Sequence, residues 1–298
     1  MANTELCVIF NPAAGKHRAA RRLAKLRQSW GANVIFQPTS KPGHAIELAK
    51  HAACDGFTIV AAAGGDGTVH EVANGLLQAE RPDVRFAIFP IGSANDYAYS
   101  VTQHVSETPA PHTVDVGRVR SPDGRQKFFV CCLGLGLNGA VTLESRRVKW
   151  LQGMALYGLA TLRALWRHYD CPRMQITLDD AAAWQTDTLM FSTLLGKREG
   201  GFVLAPQAEL DDGWFDFVHA GALSRWQVLK FLPRVALFGP PQNDPRVRQG
   251  RCRRVRLVSP KPLIVHLDGE FFCLPDDNVR ELEIDLLPKA LRVEVLTV

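Results

Sequence analysis

The segment that most constrains this chain is Ala63-Gly-Gly-Asp-Gly-Thr-Val-His70. It stands between a continuous apolar run, Phe57-Thr-Ile-Val-Ala-Ala-Ala63, and a stretch where Val69, Val72, Ala73, Leu76 and Leu77 recur at helical spacing. A buried strand that breaks at glycines into an amphipathic helix brings bare backbone close to an anion. The helix start adds N–H donors and the positive end of a dipole. Thr68 offers a hydroxyl to a phosphate oxygen, whereas Asp66 repels one and reaches it through a metal ion or a bridging water. The spacing is neither GxxxxGK[ST] nor GxGxxG. A purely structural glycine turn is the plainer reading, and the strand–loop–helix setting argues against it.

Two more polar glycine loops follow apolar runs. Asn11-Pro-Ala-Ala-Gly15, with Lys16, comes after Leu6–Phe10, and Pro90-Ile-Gly-Ser-Ala-Asn-Asp96 comes after Arg85–Phe89. Strands are also expected at Asn33–Phe36 and Phe57–Ala63. Helices are expected after Lys16, with Leu23, Leu26 and Trp30 on one face, and over Gly43–Cys54. Alternating strands and helices in this order predict a parallel sheet with helices on both faces. Ligands of such sheets bind outside the carboxyl ends of the strands, where all three loops fall. From Thr113 onward the runs are mostly strand-like: Thr113–Val119, Lys127–Cys132, Met174–Leu178, Thr188–Leu195, Trp214–Val218, Arg254–Leu257, Leu263–His266 and Leu291–Val298. Helical stretches interrupt them at Val148–Tyr169 and Ser224–Leu237. The expectation is an α/β domain over residues 1–122 and an antiparallel, mostly β domain over 123–298.

The charge balance, 35 Lys+Arg against 30 Asp+Glu, is mildly basic but uneven. Arg146, Arg147, Lys149, Arg163, Arg167 and Arg173 face only Glu144 and Asp170 in their stretch. Arg246, Arg248, Arg251, Arg253, Arg254 and Arg256 have no acid between them. Two local clusters suit the phosphates of a nucleotide or an anionic membrane surface better than a nucleic acid, so no nucleic-acid partner is expected, and a solvated face is the plainer reading of either one. The uncharged stretches are shorter than the ~20 residues a membrane helix requires. The start lacks a basic leader region, and the seven cysteines form no C-x-x-C pair, so buried reduced thiols in a cytoplasmic protein are expected. The nine histidines show no zinc-site spacing. His70, at the start of the glycine-loop helix, reads either as a nucleotide contact or as a solvated helix-start residue.

Two acidic motifs lie in the second half. Glu209-Leu-Asp-Asp-Gly-Trp214 reads by itself as a tight turn. Asp268-Gly-Glu270 follows the apolar run Leu263–Leu267, and its two carboxylates share a face if the strand continues. Two carboxylates so close suit general acid–base work, and a surface turn is the competing reading.

Taken together, Asn11-Pro-x-x-Gly, Gly64-Gly-Asp-Gly-Thr68, Pro90-x-Gly-Ser-x-Asn-Asp96, Leu210-Asp-Asp-Gly213 and Leu267-Asp-Gly-Glu270 resemble the signature of the diacylglycerol kinase catalytic domain family. That family includes the bacterial lipid kinases and the sphingosine and ceramide kinases. The resemblance implies an N-terminal three-layer α/β/α nucleotide-binding domain, a C-terminal antiparallel β-sandwich and a shared cleft. It implies ATP as phosphate donor, Mg²⁺, and a lipid hydroxyl as acceptor at a membrane surface, hence a cytoplasmic protein peripheral to the membrane. Asn11, Thr39, Gly64, Gly65, Asp66, Gly67, Thr68, Val69, His70, Glu71, Gly92, Ser93 and Asn95 match nucleotide-contacting positions, with Ser93 in place of the more usual threonine. Asp66, Asp96 and Asp115 match the acids that organise the catalytic magnesium. Asp212, with backbone carbonyls of Glu209 and Trp214, matches a structural magnesium site. Asp268 and Glu270 match the base and its partner, in an order left open.

The alternatives are an NAD-kinase-like enzyme with a soluble acceptor and a non-catalytic nucleotide- or lipid-binding regulator. The candidate lipid-facing segment is Val148–Trp166, through Trp150, Met154, Tyr157 and Trp166, and a helix packed on the sandwich is its plainer reading. The acceptor lipid and the oligomeric state, a homodimer included, stay open.

Overall fold

The structure is a computed structural model, and it describes residues 6–14, 34–92, 94–107, 112–148, 150–151 and 153–294. The expected helix around Leu23, Leu26 and Trp30 lies outside the described residues, as does Ser93. The chain forms two compact units: Met1–Val116 with Pro288–Val298, and Gly117–Leu287.

The first unit is built on parallel strands. These are β1 (Leu6–Phe10), β2 (Val34–Pro38), β3 (Ile59–Gly64) and β4 (Arg85–Pro90), joined by α1 (His44–Cys54), α2 (Asp66–Gln78) and, after β4, α3 (Asp96–Glu107). The order β2-β1-β3-β4 places β2 on one side of β1 and β3 on the other. The direction of winding therefore reverses between β1 and β3, a topological switch point. Strand β3 is buried along its whole length, which explains its unbroken apolar run. Helix α1 buries Ala45, Ala49, Ala52 and Ala53, small residues that admit α2 at short range. A Cβ added to Gly75 of α2 would stand 2.3 Å from the Ile46 carbonyl oxygen, so backbone packs on backbone there.

Residues 288–298 belong to the first unit because Arg292–Glu294 pair in parallel with Arg85–Ala87 of β4. A division of the chain at residue 122 separates this closing strand from the sheet edge that it covers. Strand β5 (His112–Arg120) leaves the first unit, and Gly117–Arg120 pair antiparallel with β6 (Gln126–Phe129) in the second.

The second unit is antiparallel. One sheet runs β14 (Val247–Cys252), β13 (Phe215–Ala220), β10 (Met190–Leu194), β7 (Cys132–Gly136), β16 (Val265–Leu267) and β17 (Glu270–Cys273). In another, β15 (Arg254–Val258) lies between β8 (Arg173–Leu178) and Glu281–Asp285, the first part of β18 (Glu281–Glu294), with β9 (Trp184–Asp187) beyond β8. Short β11 (Arg198–Glu199) and β12 (Phe202–Val203) form a hairpin. The expected single strand Lys127–Cys132 is two strands, β6 and β7. Gly136, at φ +70°, then turns the chain straight into α4 (Leu137–Arg147), a helix the apolar pattern did not announce. Helices α5 (Gly153–Arg167) and α6 (Arg225–Phe238) follow the two helical readings closely. Ser224 caps α6, and its capping box with Gln227 gives that helix a start legible in sequence. No helix among the described residues is long and apolar enough to cross a membrane.

Candidate active site

The parallel register carries the loops after β1, β3 and β4 to the carboxyl edge of the first unit's sheet. Asn11 N–H donates to the Ala63 carbonyl at 3.3 Å, and its side-chain Oδ1 accepts from Ala13 N–H at 2.9 Å. Thr39 N–H donates to the Phe10 carbonyl at 2.8 Å, which ties the end of β2 to the same edge. Gly64 O accepts from both Ile91 and Gly92 N–H, at 2.9 and 3.1 Å, so the second and third loops are stitched by backbone. A Cβ on Gly92 would meet the Gly65 Cα at 2.5 Å, and one on Gly64 would meet Thr68 Oγ1 at 2.3 Å. These glycines are required by close approach, not by a special φ. Thr68 and Val69 are buried beneath the loop, and Gly67 is partly open.

Among the described residues of this unit, carboxylates close two of the three helix starts. Glu71 accepts from Gly43 and Ala45 N–H at 2.8 and 3.1 Å, capping α1 from 26–28 residues away. Asp66 accepts from Asn95 and Asp96 N–H at 2.9 and 2.8 Å, which binds the glycine loop to the start of α3. Asn95, at φ +54°, turns its side-chain amide onto the Gly92 carbonyl at 3.0 Å. The third helix, α2, has Gly65 as its N-cap, a residue with no side chain to close it. An uncapped helix start lined by glycine backbone presents N–H donors of the kind that meet anions.

Other predicted residues sit differently. His70 is 3% exposed, with its ring Nε2 3.4 Å from Asn74 Nδ2; α2 packs that face inward, so the residue is not a solvated one. Asp96 is buried at the first turn of α3. Asp115 is fully buried in β5 and accepts from Lys289 N–H at 2.7 Å, which fixes a left-handed residue of the closing strand.

In the second unit, Asp268 and Gly269 are the two loop residues of the β16–β17 hairpin, with Leu267 paired to Glu270. Both have positive φ, +52° and +85°, the signature of a type I′ turn with Asp-Gly at its centre. The strand does not continue through Asp268, so the two carboxylates do not share one strand face. Asp268 folds onto the backbone, accepting from Val130, Cys131 and Cys132 N–H at 3.0, 2.8 and 2.9 Å. Glu270 instead meets Arg146 of α4 at 2.6 Å, and the same guanidinium group donates to the Gly269 carbonyl at 3.0 Å and lies 4.6 Å over the Phe271 ring. Arg146 is the contact that sequence reading missed; it belonged to a basic cluster with no visible target.

At the Glu209–Trp214 turn, Asp212 Oδ1 accepts from Trp214 N–H at 3.0 Å, and Arg251 stands 3.0 Å from Oδ2. Oδ2 is buried and receives no hydrogen bond of proper geometry, the Arg251 contact being an ion pair only. Burial raises the Asp216 carboxyl above its usual range; Arg251 opposes the shift, while Asp212 and Glu209 add to it. Among the described residues no three His, Cys, Asp or Glu side chains converge as a metal cluster.

Residues 5–123 match the diacylglycerol kinase catalytic domain, and residues 132–295 match the YegS C-terminal NAD kinase beta sandwich-like domain. The chain is 29% identical over 280 residues to a diacylglycerol kinase of Bacillus subtilis, covering 89% of each protein. It is 27% identical over 304 residues to a diacylglycerol kinase of Mycobacterium tuberculosis, covering 97% of this chain and 94% of that one. The fold is similar to the crystal structure of a diacylglycerol kinase from Bacillus anthracis, with a TM-score of 0.66 at 18% identity over 98% of this chain and 97% of that one. Two matched domains in order, over a parallel-sheet unit and an antiparallel one, place the chain in the diacylglycerol kinase family of lipid kinases.

Proposed function

We propose that this protein transfers the γ-phosphate of ATP to the hydroxyl of a membrane lipid of the diacylglycerol class. The observation that carries the reading is the uncapped start of α2, set against glycine backbone at the switch point while carboxylates close α1 and α3. Phosphate oxygens fit the N–H groups of that turn, with Thr68 and Asn11 beside them. Gly64, Gly65, Gly67 and Gly92 allow the approach.

Magnesium fits this set. Asp66, whose carboxylate lies at the glycine loop and the start of α3, and Asp96 would hold metal-bound water beside the phosphates. When bound, the ion neutralises charge on the phosphate oxygens. The buried Asp212 Oδ2, without a hydrogen bond, fits a second, structural ion together with the Glu209 and Trp214 carbonyls. Arg251 occupies the cationic role there in this structure.

Glu270 is the proton acceptor in this reading and Asp268 the anchor. Both oxygens of Asp268 hold backbone N–H groups, so protonating it would loosen the hairpin. Glu270 is anchored through Oε2 by Arg146, which leaves Oε1 to take the lipid hydroxyl proton as the alkoxide oxygen attacks phosphorus and ADP departs.

The lipid reaches the site from a bilayer, and α5 and α6 offer the docking surface. Helix α5 buries Ala160, Thr161, Ala164 and Leu165 but exposes Met154, Leu162 and Trp166. On α6 no residue is buried, and Trp226, Leu237 and Phe238 stand out; Trp166 and Trp226 meet edge-on at 6.4 Å. The two helices carry Arg163, Arg167, Arg225, Lys230 and Arg234 and no acid, which suits an anionic lipid surface.

The test is transfer from γ-labelled ATP, with Mg²⁺, to diacylglycerol, phosphatidylglycerol, a sphingoid base and NAD in parallel. Label in a lipid product is expected; label confined to NAD, or none transferred, contradicts the reading.

A further inference from the structure

A second polar constellation lies buried in the second unit, directly behind the Asp268–Glu270 hairpin. In the β16-β7-β10 part of the sheet, His266 is paired with Gly134 and Gly134 with Ser192, so the three form one row across three strands. Glu199, from β11, spans this row. Its Oε1 meets His266 Nε2 at 2.9 Å, and its Oε2 accepts from Ser192 Oγ at 2.8 Å. Ser192 in turn accepts from Asn138 Nδ2 at 2.8 Å. The middle of the row must be glycine, because a Cβ on Gly134 would lie 2.4 Å from Glu199 Oε1 and 2.5 Å from His266 Nε2.

His266 and Glu199 are 2% and 7% exposed. The other nitrogen of the imidazole, Nδ1, receives Gly269 N–H at 3.2 Å. An Nδ1 that accepts carries no proton, so the proton sits on Nε2 and is donated to Glu199. A proton on Nδ1 would set donor against donor at Gly269.

From this chain of contacts we infer that Glu199 and His266 are positioning residues for the reaction. Glu199 fixes the imidazole tautomer, and the imidazole fixes Gly269, the residue whose carbonyl shares Arg146 with Glu270. Ser192 and Asn138 hold Glu199. None of the four is needed for the sheet as such, where apolar side chains would pack without the cost of burying a carboxylate. The inference rests on Glu270 as the proton acceptor and adds what holds it in register.

The test compares two substitutions of one residue, assayed with γ-labelled ATP and dioctanoylglycerol in mixed micelles. Asn places an acceptor where Nδ1 stands but does not reach Glu199. Gln places a donor where Nε2 stands but offers Gly269 no acceptor. With His266→Gln, kcat should fall on the order of 100-fold, as for a reacting group displaced by about 1 Å, while KM for ATP stays unchanged. With His266→Asn, kcat should remain within about threefold of the parent. Equal losses in both variants, or a folded His266→Gln protein that keeps its kcat, would overturn the inference. Should His266→Gln fail to fold, Ser192→Ala serves instead: a fall in kcat of about tenfold at constant KM supports the inference, and no change overturns it. Glu270→Gln runs alongside. If it is as active as the parent, the assignment of the base fails; if it is inactive while His266→Gln is active, only the positioning role fails.

Discussion

A carboxylate suited to binding a ligand's ions is equally suited to binding the protein's own backbone. Glu71 stands in the glycine-loop segment, yet both its oxygens cap α1. Asp268 stands in the acidic motif, yet it holds three backbone N–H groups. Residue type and spacing are the same for both roles, so the sequence could nominate these acids but not divide them. The glycines were more legible, since backbone packed this closely leaves no room for any side chain. Gly92→Ala is therefore predicted to force the third loop away from Gly65 and weaken ATP binding by about tenfold, near 1.4 kcal/mol, in calorimetric titration. Unchanged affinity would show that the two loops need not touch.

Elements with one dominant period were read well, and those with mixed demands were not. The buried run of β3 and the capped start of α6 follow local rules. Helix α4 begins inside an apolar, glycine-broken stretch that serves a strand first, and α3 averages out as neither apolar nor polar because it buries Tyr97, Ala98 and Val101 beside Asp96. Strand β13 illustrates an element whose burial has a pH consequence. His219 is 2% exposed there, and burial, with Arg248 nearby, lowers its pKa from 6.5 to about 4. The unfolded chain then binds a proton the folded one refuses. Stability is complete above pH 6.5 and declines as pH falls toward about 4. His219→Gln should flatten this decline by up to one proton in the slope of unfolding free energy against pH; an unaltered slope would assign the acid sensitivity elsewhere.

Helices α5 and α6 carry the prediction about the bilayer. Trp226→Ala with Phe238→Ala should lower co-sedimentation with phosphatidylglycerol-containing vesicles by about tenfold, with little binding to phosphatidylcholine alone in either protein. Retained binding would move the docking surface to another face.

At the scale of the whole molecule, net charge was the least reliable guide. The arginines of 246–256 have no acid among them in sequence, but folding pairs Arg246 with Asp244, Arg251 with Asp212, Arg254 with Asp180 and Arg256 with Glu281, and lays Arg253 over Trp214. The partners Asp212, Asp180 and Glu281 are distant in sequence and invisible to a run-by-run count, and Arg248 lies over Trp184, so this cluster is no open basic patch. The order of motifs along the chain was far more informative, because parallel-sheet topology converts it into position: loops after β1, β3 and β4 must share an edge. What topology could not supply was the hairpin geometry that separates Asp268 from Glu270, or the return of residues 288–298 to the first unit.

The central claim is that Glu270 takes the lipid proton while the glycine loops hold ATP. Glu270→Gln keeps the shape and removes the base. Its kcat for labelled phosphate transfer to diacylglycerol should fall about 1,000-fold, within the range of a lost general base, with ATP affinity within about twofold of the parent. A kcat within about threefold of the parent, at full ATP affinity, would contradict the account.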